Sequence, residues 1–415
     1  MRSRVGDDLV TFPRKLIAIA LLVMAVAALL CFGVIGVGRS KAIFDSIYLY
    51  FAGQTWLQGG NPYHRDELLQ TAARAGGSME YAQRMLPDYF AYPPPVAAFA
   101  IPLSLLSEPA ARVIVRIVNL IAVGIITALS LYEVYLRGGK EALINRGALI
   151  ATLAIGNPFT AHTVWLGQTS LVSFAATYAA WLLSRQQRFV LAGICLGVSC
   201  FKPHTCILVF FWFLLERYWK ALVACLGTAL LMSIYPVMTH GPIQLTLEWL
   251  SSVRGYQSTD FNRVSLENDN LIGLGSFLYT LAGIEISSAI AVFIGLICTL
   301  ILWAYRKRLN QDDVLGILMG IQLVFLFGHT YDYVYLIPIY NSLVLYASQV
   351  KVAISVILLI LLLFIPQQLV RRLAGALSMP VLSHWRTLVV IIMMLFVIQL
   401  SIQAKQKQRS PIVTS

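Results

Sequence analysis

Residues 16–38 read LIAIALLVMAVAALLCFGVIGVG, an unbroken run of apolar or small residues that contains no charge. About 20 such residues are enough to cross the hydrocarbon core of a bilayer as an α-helix. The run is too long for the apolar region of a cleaved signal peptide, and no small-x-small cleavage site follows it. We therefore expect a retained membrane-spanning helix here, and the rest of the chain repeats the same pattern.

The composition is that of a membrane protein with many spans. Mean hydropathy is +0.75, and 58% of the 415 residues are hydrophobic while only 12% are charged. A soluble chain carries about 25% charged residues. The net charge of +12 does not indicate nucleic acid, because Lys and Arg stand in small groups between apolar runs, as topology signals do. The six cysteines lie within or beside apolar runs, which predicts free buried thiols and neither disulfides nor a metal site.

Apolar windows with few or no charges predict which segments cross the membrane. There are twelve of them: 16–38, 113–135, 147–163, 169–184, 189–203, 204–215, 221–239, 286–305, 313–331, 333–350, 352–370 and 387–404. Several are short, so some of them are expected to be broken or re-entrant. The further apolar segments 93–107 and 270–283 are expected to be embedded without spanning. The sequence thus predicts an all-α polytopic protein with one membrane-embedded domain, 1–415.

The Lys and Arg residues between the windows predict the orientation, because cytoplasmic loops are enriched in them. With the N-terminus inside, eighteen of the 31 lie on the inner side and thirteen on the outer side. Seven of the outer ones belong to the loop 39–112, and loops longer than about 60 residues translocate regardless of charge. Both termini are therefore predicted to be cytoplasmic and this loop extracytoplasmic. The pair Arg371–Arg372, placed outside, is the exception to the rule.

The first outer loop carries a carboxylate beside the membrane. A loop of this length between spans is usually functional. Asp45 opens the segment FDSIYLYFAGQTWLQGGNPY at 44–63, where it can be ionised and still face a lipid-borne substrate. Helical spacing of aromatic residues over 44–57 predicts an interfacial helix with Asp45 near its N-terminus. The alternative is that Asp45 only caps this helix.

Lys202 is the only Asp, Glu, Lys or Arg between Arg188 and Glu216, in GVSCFKPHTCILVF at 197–210. An ionisable residue in apolar sequence is costly and marks a functional site by default. Pro203 ends the preceding helix and places the ammonium at the outer end of its span. Lys202 is thus a candidate for binding the phosphate of a lipid carrier. The alternative is a lysine that snorkels to the outer headgroups.

His329 follows an apolar window in LVFLFGHTYDYVYLIPIY at 323–340, again on the predicted outer side. Asp332 comes three residues later, so both can share one helical face. The alternative for His329 is a local hydrogen bond at a turn. Further candidates for substrate binding on the outer side are Tyr48, Trp56, Asn61, Tyr89, Tyr92, His162, Gln168, Arg254 and Arg263. The aromatic ones suit interfacial walls or sugar platforms, whereas for His162, Gln168 and the two arginines a position in a solvated loop is the favoured interpretation.

Together these residues suit glycosyl transfer from a lipid phosphate. Such a reaction needs a base for the proton of the acceptor hydroxyl. It also needs positive charge or a hydrogen-bond donor at the departing phosphate. Asp45 would supply the first, and Lys202 with His329 the second. The sequence has no Gly-rich phosphate loop, no DxD-like pair for a nucleotide-sugar metal site and no Ser/His/Asp constellation, so no cofactor is predicted.

The order of these segments resembles the GT-C superfamily of polyprenyl-phosphate-sugar-dependent glycosyltransferases, and within it glycosyltransferase family 87, also known as DUF2029. The resemblance covers about 40–335. It rests on the Asp45 segment with AGQTWLQGGNPY, FAYPPP at 90–95, LGQTS at 166–170, CFKPH at 200–204 and GHTYDY at 328–333. The family includes mycobacterial mannosyltransferases of phosphatidylinositol mannoside synthesis and arabinofuranosyltransferases of cell-wall assembly.

The resemblance implies a GT-C fold of about twelve transmembrane helices with a long first extracytoplasmic loop, 39–112. A central module, 113–335, would follow, and then C-terminal helices, 336–415, without a motif. It further implies inverting transfer of a sugar, mannose first, from a polyprenyl-phosphate donor to a glycolipid or lipid-linked glycan in cell envelope biogenesis. The site would face the periplasm from the bacterial inner membrane. By analogy Asp45 is the base, and Lys202 and His329 lie near the donor phosphate.

Three other classes of protein remain open from the sequence. A secondary transporter or lipid flippase usually shows repeated halves and a site at the bilayer midplane, whereas no repeat is visible here and the polar candidates lie towards one face. A membrane scaffold subunit would explain the hydrophobicity but not the shared side of Asp45, Lys202 and His329. A polymerase of lipid-linked glycan would be expected to carry a large arginine-rich loop in its later half, and the loop at 240–270 is modest.

Overall fold

A computed structural model describes residues 5–38, 45–266 and 268–409 of the chain, with side chains from residue 16 to residue 407 in these ranges. Helices account for 81% of the chain, and these ranges contain no strand. In chain order the helices are α1 Val5–Ala28, α2 Ser46–Leu57, α3 Arg65–Gly76, α4 Met79–Met85, α5 Ala97–Ser104, α6 Glu108–Ile155, α7 Pro158–Leu166, α8 Ser170–Arg185, α9 Phe189–Ser199, α10 Pro203–Leu215, α11 Trp219–Met232, α12 Ile234–His240, α13 Pro242–Ser258, α14 Leu274–Ala282, α15 Ser288–Ala304, α16 Val314–Phe325, α17 Ile337–Tyr346, α18 Val350–Phe364, α19 Gln367–Ala376 and α20 Trp385–Arg409.

Helices long and apolar enough to span a membrane are fewer than the sequence predicts. By length and composition, three candidate spans occur in the described residues, within Leu16–Ile35, Glu108–Ile155 and Pro380–Lys407. Two bent pairs, α11 with α12 and α18 with α19, raise the number to five if each pair is one span. Several predicted windows form shorter apolar helices instead, α9 and α10 among them. The chain is a membrane protein, but the count of twelve crossings is not confirmed.

α6 is a helical hairpin and not one straight rod. Gly139 interrupts it with φ 66° and ψ −164°, a conformation that only glycine adopts without strain. A Cβ added at Gly147 would lie 3.3 Å from the side chain of Leu131, although sixteen residues of straight helix would separate the two by about 24 Å. The chain therefore folds back at Gly139, which agrees with two predicted windows on either side of it.

The first loop forms a core of its own. The helix predicted over 44–57 is observed as α2, but ten of its twelve residues are buried. They pack against α3, α5 and the start of α6. α2 is therefore an internal helix of the folded loop and not a helix lying in the interface with one face exposed. The predicted non-spanning segment 93–107 contains α5, whose eight residues are too few to cross a bilayer.

A second, larger core joins the later helices. Buried side chains from α7 to α11 pack with those of α15 to α17 and α20. Phe201, at the break between α9 and α10, packs instead into the core of the first loop. Val172 of α8 contacts both cores. Phe201 and Val172 therefore lie where the core of the first loop meets the larger core. All six cysteines are free thiols, as predicted, but only Cys206 and Cys225 are buried and the other four are partly exposed.

Ion pairs between different elements join residues that the sequence places on the same side. On the predicted inner side, Arg137 pairs with Asp313, and Arg185 with Asp312. Glu216 binds Arg306 there, too. On the predicted outer side, buried Asp269 accepts a hydrogen bond of 2.7 Å from Arg371. Arg371, the exception to the charge rule, is thus partnered by a carboxylate from another outer segment.

Candidate active site

Asp45 stands at the N-terminus of α2, but its side chain does not cap the helix. Its backbone N–H donates to the carbonyl of Leu166 at 3.0 Å, which fixes the residue against the end of α7. Its carboxylate Oδ2 accepts a hydrogen bond from Gln168 Nε2. The side chain is therefore held by a polar residue of the turn between α7 and α8. The carboxylate is held by this hydrogen bond from Gln168 and not by bonds to the N–H groups at the start of α2.

The surroundings of Asp45 favour its protonated form more than water does. Burial raises the pKa of Asp45 from its ordinary value of 3.8 to about 6, although the Lys202 charge and the Gln168 hydrogen bond both lower it. The nearby carboxylates Asp88 and Asp332 raise it further. A carboxylate with a pKa near 6 is a better proton acceptor than an ordinary aspartate and is still mostly ionised at pH 7.

Gln168 is the centre of the hydrogen-bond network. Its Nε2 donates to Asp45 and, at 3.1 Å, to the hydroxyl of Tyr331. Its Oε1 accepts a hydrogen bond of 2.9 Å from the hydroxyl of Tyr92. One buried amide thus connects the first loop, the α7–α8 turn and the segment that follows α16. Both amide donors and one acceptor are used, so the orientation of the side chain is fixed.

Lys202 lies at the break between α9 and α10, with Pro203 as the first residue of α10. The ammonium is buried and donates to Ser170 Oγ at 2.6 Å. It also lies 3.4 Å from Asp332 Oδ1 and 4.6 Å from the centre of the Tyr331 ring. An ammonium has three N–H donors, and two of them go to these oxygen atoms.

Asp332 balances the charge of Lys202. Its Oδ1 also accepts a hydrogen bond of 2.9 Å from Ser170 Oγ, and its Oδ2 accepts one of 3.1 Å from the backbone N–H of His329. Burial alone would raise the pKa of Asp332, but the Lys202 charge and the nearby His204 outweigh it and hold the pKa well below its usual range. Asp332 therefore stays ionised, in contrast to Asp45, whose pKa is raised.

His329 is buried in a stack of aromatic rings. Its ring lies parallel to those of Tyr331, 5.2 Å away, and Phe261, 5.6 Å away. Its Nε2 shares a hydrogen bond of 3.3 Å with the hydroxyl of Tyr256, whereas Nδ1 has no hydrogen-bond partner among the described residues. Burial lowers the pKa of His329 to about 3, against the attraction of Asp332. The imidazole is neutral at physiological pH and can donate one hydrogen bond.

α13 covers the site from the direction of the first loop. Trp249 Nε1 donates to the carbonyl of Ala91 at 3.0 Å, and Ser252 Oγ donates to that of Phe90 at 2.9 Å. One turn later, Tyr256 reaches His329. Trp249 and Ser252 of α13 thus hold the segment next to Tyr92, and Tyr256 of the same helix contacts His329. The solvated loop considered for 240–270 is largely this helix. Arg254 within the helix and Arg263 beyond it are both exposed.

The aromatic candidates of the first loop divide between the site and the core. Tyr92 belongs to the network. The hydroxyl of Tyr48 instead accepts a hydrogen bond from the backbone N–H of Asp88 at 2.8 Å. Trp56 is fully buried against Tyr63 and Phe90, a position where it contacts no solvent or lipid.

Three other candidates lie at the border of the site. Tyr89 packs against Gly255 of α13, under the guanidinium of Arg65. Asn61 is buried and donates to Glu248, again joining the first loop to α13. His162 lies edge-on to Tyr331 with ring centres 6.2 Å apart. These residues shape the walls of the site.

Sequence reasoning did not single out Tyr331, Ser170 or Tyr256. Tyr331 touches Gln168, Lys202 and His329. Its signal was present, because it lies between His329 and Asp332, both of which the sequence did select. Ser170 and Tyr256 have ordinary sequence surroundings, and only the fold reveals their contacts. In the part of the chain that the structure describes, no three His, Cys, Asp or Glu side chains are placed to hold a metal ion.

The sequence profile of glycosyltransferase family 87 matches residues 90–328, more than half of the chain. The chain belongs to glycosyltransferase family 87. It is therefore a glycosyltransferase, an enzyme that acts on a sugar donor and an acceptor. The family 87 match includes Tyr92, Gln168 and Lys202 but begins after Asp45 and ends next to His329. No curated protein and no solved structure matches the chain.

Proposed function

We propose that this family 87 enzyme moves a sugar, mannose in the first place, from a polyprenyl-phosphate donor to a lipid-linked glycan or glycolipid. The transfer inverts the anomeric centre. It takes place at the periplasmic face of the bacterial inner membrane, within a GT-C fold of about twelve crossings. In this proposal residues 39–112 form the extracytoplasmic loop, 113–335 the central helices and 336–415 the C-terminal helices.

The observation that carries the proposal is the setting of Asp45. Its carboxylate has a raised pKa of about 6 and is oriented by Gln168 instead of capping α2. A general base needs both a fixed direction and a pKa not far below the working pH. In the proposed reaction Asp45 takes the proton of the acceptor hydroxyl while that oxygen attacks the anomeric carbon. The polyprenyl phosphate leaves from the opposite face of the sugar.

The donor phosphate is proposed to lie near Lys202 and His329. Asp332 and Ser170 engage two of the three ammonium donors of Lys202, and the third can donate to a phosphate oxygen. His329 is neutral, because its pKa lies near 3, so in this proposal it assists the leaving phosphate through a hydrogen bond and not through charge. Such oriented donors in a buried site stabilise developing negative charge more effectively than water does.

A polyprenyl chain stays in the bilayer, so the donor is expected to enter an amphipathic cleft sideways from the outer leaflet. The cleft would be closed by the first loop, with Tyr92 and Tyr331 as ring platforms for the sugar. In support of this arrangement, ion pairs between elements join residues of the same predicted side throughout. The site network and the Asp269–Arg371 pair both belong to the predicted outer side.

Transfer of labelled sugar by the purified protein tests the proposal. Polyprenyl-phosphate mannose, glucose and arabinofuranose are offered one at a time with extracted membrane glycolipids, and the corresponding nucleotide sugars serve as controls. We expect a lipid product of inverted anomeric configuration from a polyprenyl-phosphate donor, mannose giving the most. Product from nucleotide sugars alone, or product of retained configuration, would contradict the proposal.

A further inference from the structure

α19 differs in character from the apolar helix before it. The two helices meet at an angle of 79°, with Pro366 at the junction. Beyond Lys351, α18 has no charged residue, whereas α19 carries the adjacent arginines Arg371 and Arg372. With α18 across the bilayer, a bend of this size lays α19 almost parallel to the membrane surface. Two arginines also make a path back through the lipid costly for α19.

The bend between α18 and α19 is held by the start of α20. The last carbonyl groups of a helix have no partner within it. Trp385 Nε1 donates to the carbonyl of Leu362 at 3.0 Å. Arg386 donates to the carbonyls of Leu363 and Ile365, at 3.0 and 2.7 Å. The end of α18 is thus satisfied by side chains, and the tryptophan suits the boundary between lipid and water, where this residue is enriched.

The exposed surface of α19 is divided into an apolar row and a polar row. Leu369, Leu373 and Leu377 follow one another at intervals of four residues and are 61%, 52% and 54% exposed. Gln368 and Arg372 are exposed as well. Each stands one position before a leucine, so the polar row is turned by about 100° from the apolar one. An apolar row beside a basic polar row is the pattern of a helix that lies at a lipid surface.

The third side of α19 is bound to the protein through one buried carboxylate. Asp269 accepts hydrogen bonds from Arg371 Nε at 2.7 Å and from Gln367 Nε2 at 3.0 Å. The two donors stand one turn apart on α19, and Ala374 is buried on the same side. Arg372, by contrast, is exposed and forms no ion pair with any residue that the structure describes. Its charge is therefore left for water or for lipid phosphates.

Asp269 leads directly into the backbone beside the candidate active site. Residues 270–272 run antiparallel to residues 328–330, joined by backbone hydrogen bonds of 2.9 and 3.1 Å. In this pairing Leu271 lies opposite His329. α19 thus holds Asp269, and the chain that follows Asp269 pairs with the segment that bears His329.

From these observations we infer that α19 is an interfacial helix, which lies in the headgroup layer on the side of the candidate active site and positions His329 through Arg371 and Asp269. The leucine row lies among the upper acyl chains, and Arg372 reaches the lipid phosphates. The occupant of the exposed apolar row is lipid, because α18 carries exposed leucines and isoleucines up to the bend and the row begins just beyond it.

In this inference Arg371 is a positioning residue, which acts on the donor through His329 and does not touch it. This part rests on the proposed function, in which His329 assists the leaving phosphate. The place of α19 in the membrane does not depend on that function. It also accounts for the exception to the charge rule, since Arg371 binds a buried carboxylate and Arg372 binds lipid.

Hydrophobic photolabelling of the unmodified protein tests the position of α19. The protein is reconstituted in phosphatidylcholine vesicles that include a phosphatidylcholine with a diazirine in one acyl chain. After irradiation, mass spectrometry locates the labelled residues. We expect label on the leucine row of α19, as on the exposed Leu358 of α18. Met79, which is 43% exposed in the first loop, is the matched control and should stay unlabelled.

Label on Leu358 without any label in α19 would overturn the interfacial position. Label on Gln368 and Arg372 equal to that on the leucines would also overturn it, because α19 would then be immersed in the acyl chains.

The labelled-sugar assay tests the positioning role. Arg371→Met removes a donor to Asp269 and should raise the donor KM roughly 2- to 30-fold, with the acceptor KM unchanged. Arg371→Lys keeps the charge and should recover part of this loss. Arg372→Met, one residue further along the same helix, is the matched control and should keep both KM values.

An unchanged donor KM in Arg371→Met, or an equal rise in Arg372→Met, would overturn the positioning role. Unfolding temperatures of the variants within a few degrees of the wild type show that folded proteins are compared, and if Arg371→Met does not fold, Arg371→Lys alone decides by the same donor KM. Failure of transfer from every polyprenyl-phosphate donor would refute the proposed function, whereas the photolabelling result would still decide the position of α19.

Discussion

At the scale of single residues, the hydrogen-bond partner of Asp45 distinguishes between two possible roles of this residue, a helix cap and a proton acceptor. A helix cap would direct its oxygen atoms to the free N–H groups of α2, and the structure shows no such bond. The carboxylate instead accepts from Gln168, in a place where burial raises its pKa. The two hypotheses, that Asp45 stabilises α2 and that it accepts a proton in catalysis, therefore predict different effects of substitutions at this residue.

Replacing Asp45 by asparagine keeps the shape of the side chain but removes its ability to accept a proton. We expect Asp45→Asn to fold, to bind the donor lipid and to lose about 10²–10⁴-fold in turnover, as for other general bases. Asp66→Asn, at an exposed carboxylate of the same loop, should keep the wild-type rate. The labelled-sugar assay measures both. Wild-type turnover by Asp45→Asn would leave Asp45 with no catalytic part.

The pH dependence of turnover should report the pKa of Asp45. Because the base works in its ionised form, the rate should fall about tenfold per pH unit below about pH 6. Gln168→Ala removes a hydrogen bond that lowers this pKa, so the acid limb should move to higher pH. Gln70→Ala, at an exposed glutamine, should leave the profile in place. An acid limb that does not move in Gln168→Ala would show that the amide has no effect on the base.

Lys202 and Asp332 should depend on each other for stability. Lys202→Met leaves the buried Asp332 carboxylate without its cation, a change that costs about 3–5 kcal/mol in other proteins. Adding Asp332→Asn removes the stranded charge and should recover much of the unfolding temperature. It should not recover turnover, because the donor for the phosphate is still missing. A double variant as active as the wild type would exclude Lys202 from the reaction.

The sequence could indicate most of the ionisable residues of the site but not how they are joined. Asp45, Lys202 and His329 stood out because a charge or imidazole in apolar sequence needs a reason. Their partners come from distant parts of the chain: Lys202 and Asp332 are 130 positions apart, and Asp45 and Gln168 are 123 apart. No local pattern encodes such pairs, since they arise from the packing of several helices.

At the scale of secondary structure, α6 shows how a glycine sets the path of a span. Gly139 adopts a backbone conformation that is open to glycine but strained for other residues. The turn allows the two arms of α6 to pack, with Val134 and Ile150 buried in one small cluster with Val344. Arg137, two residues before the turn, reaches Asp313 at 2.6 Å. The hairpin therefore depends on a single backbone position.

Alanine at two glycines of α6 should have opposite effects. Gly139→Ala should destabilise the protein by about 1–3 kcal/mol, the usual cost of a strained backbone. Gly124→Ala should stabilise it by up to about 1 kcal/mol, because Gly124 is helical and a Cβ there meets nothing within 4 Å. Thermal unfolding in one detergent compares the two variants. Equal stability of both would mean that the reversal does not depend on the Gly139 conformation.

Helix α2 and helix α13 differ from their sequence expectations for one reason. Hydropathy and spacing describe a segment alone, whereas burial depends on what packs against it. Aromatic residues in α2 predicted a helix at the interface, but α3 and α5 cover it. The segment 240–270 is polar enough for a loop, yet Trp249 and Ser252 bind the backbone of the first loop. Neither the burial of α2 nor the contacts of α13 can be predicted from the sequence of the segment itself, because both depend on which helices pack against it.

At the scale of the whole molecule, the sequence predicted the class of fold better than the number of spans. Windows of low charge identify apolar helices, and these are present. Hydropathy cannot distinguish a helix that crosses lipid from a short one buried by protein, because both are apolar. α9 and α10, with eleven and thirteen residues, have the length of the short helices and not that of a helix that crosses lipid. The structure gives three to five spans by length and composition.

Cysteine labelling from outside the cell tests the orientation. In a chain without its own six cysteines, Ala75→Cys in the first loop should react with an impermeant maleimide. Gln311→Cys, on the side predicted to be cytoplasmic, should react only after the membrane is opened. Both positions are exposed. The reverse pattern would invert the topology and place the candidate active site in the cytoplasm.

The backbone bond between Asp45 and Leu166 has a consequence for how the enzyme opens. Asp45 N–H is tied to the end of α7, and Gln168 lies two residues beyond that anchor. Asp45 and the amide that orients it are therefore held together by a main-chain hydrogen bond and a side-chain hydrogen bond. We expect any widening that admits a sugar or releases the product to leave this pair intact. We expect α13 to move instead, and with it the hydrogen bonds of Trp249 and Ser252 and the packing of Leu245 against the first loop.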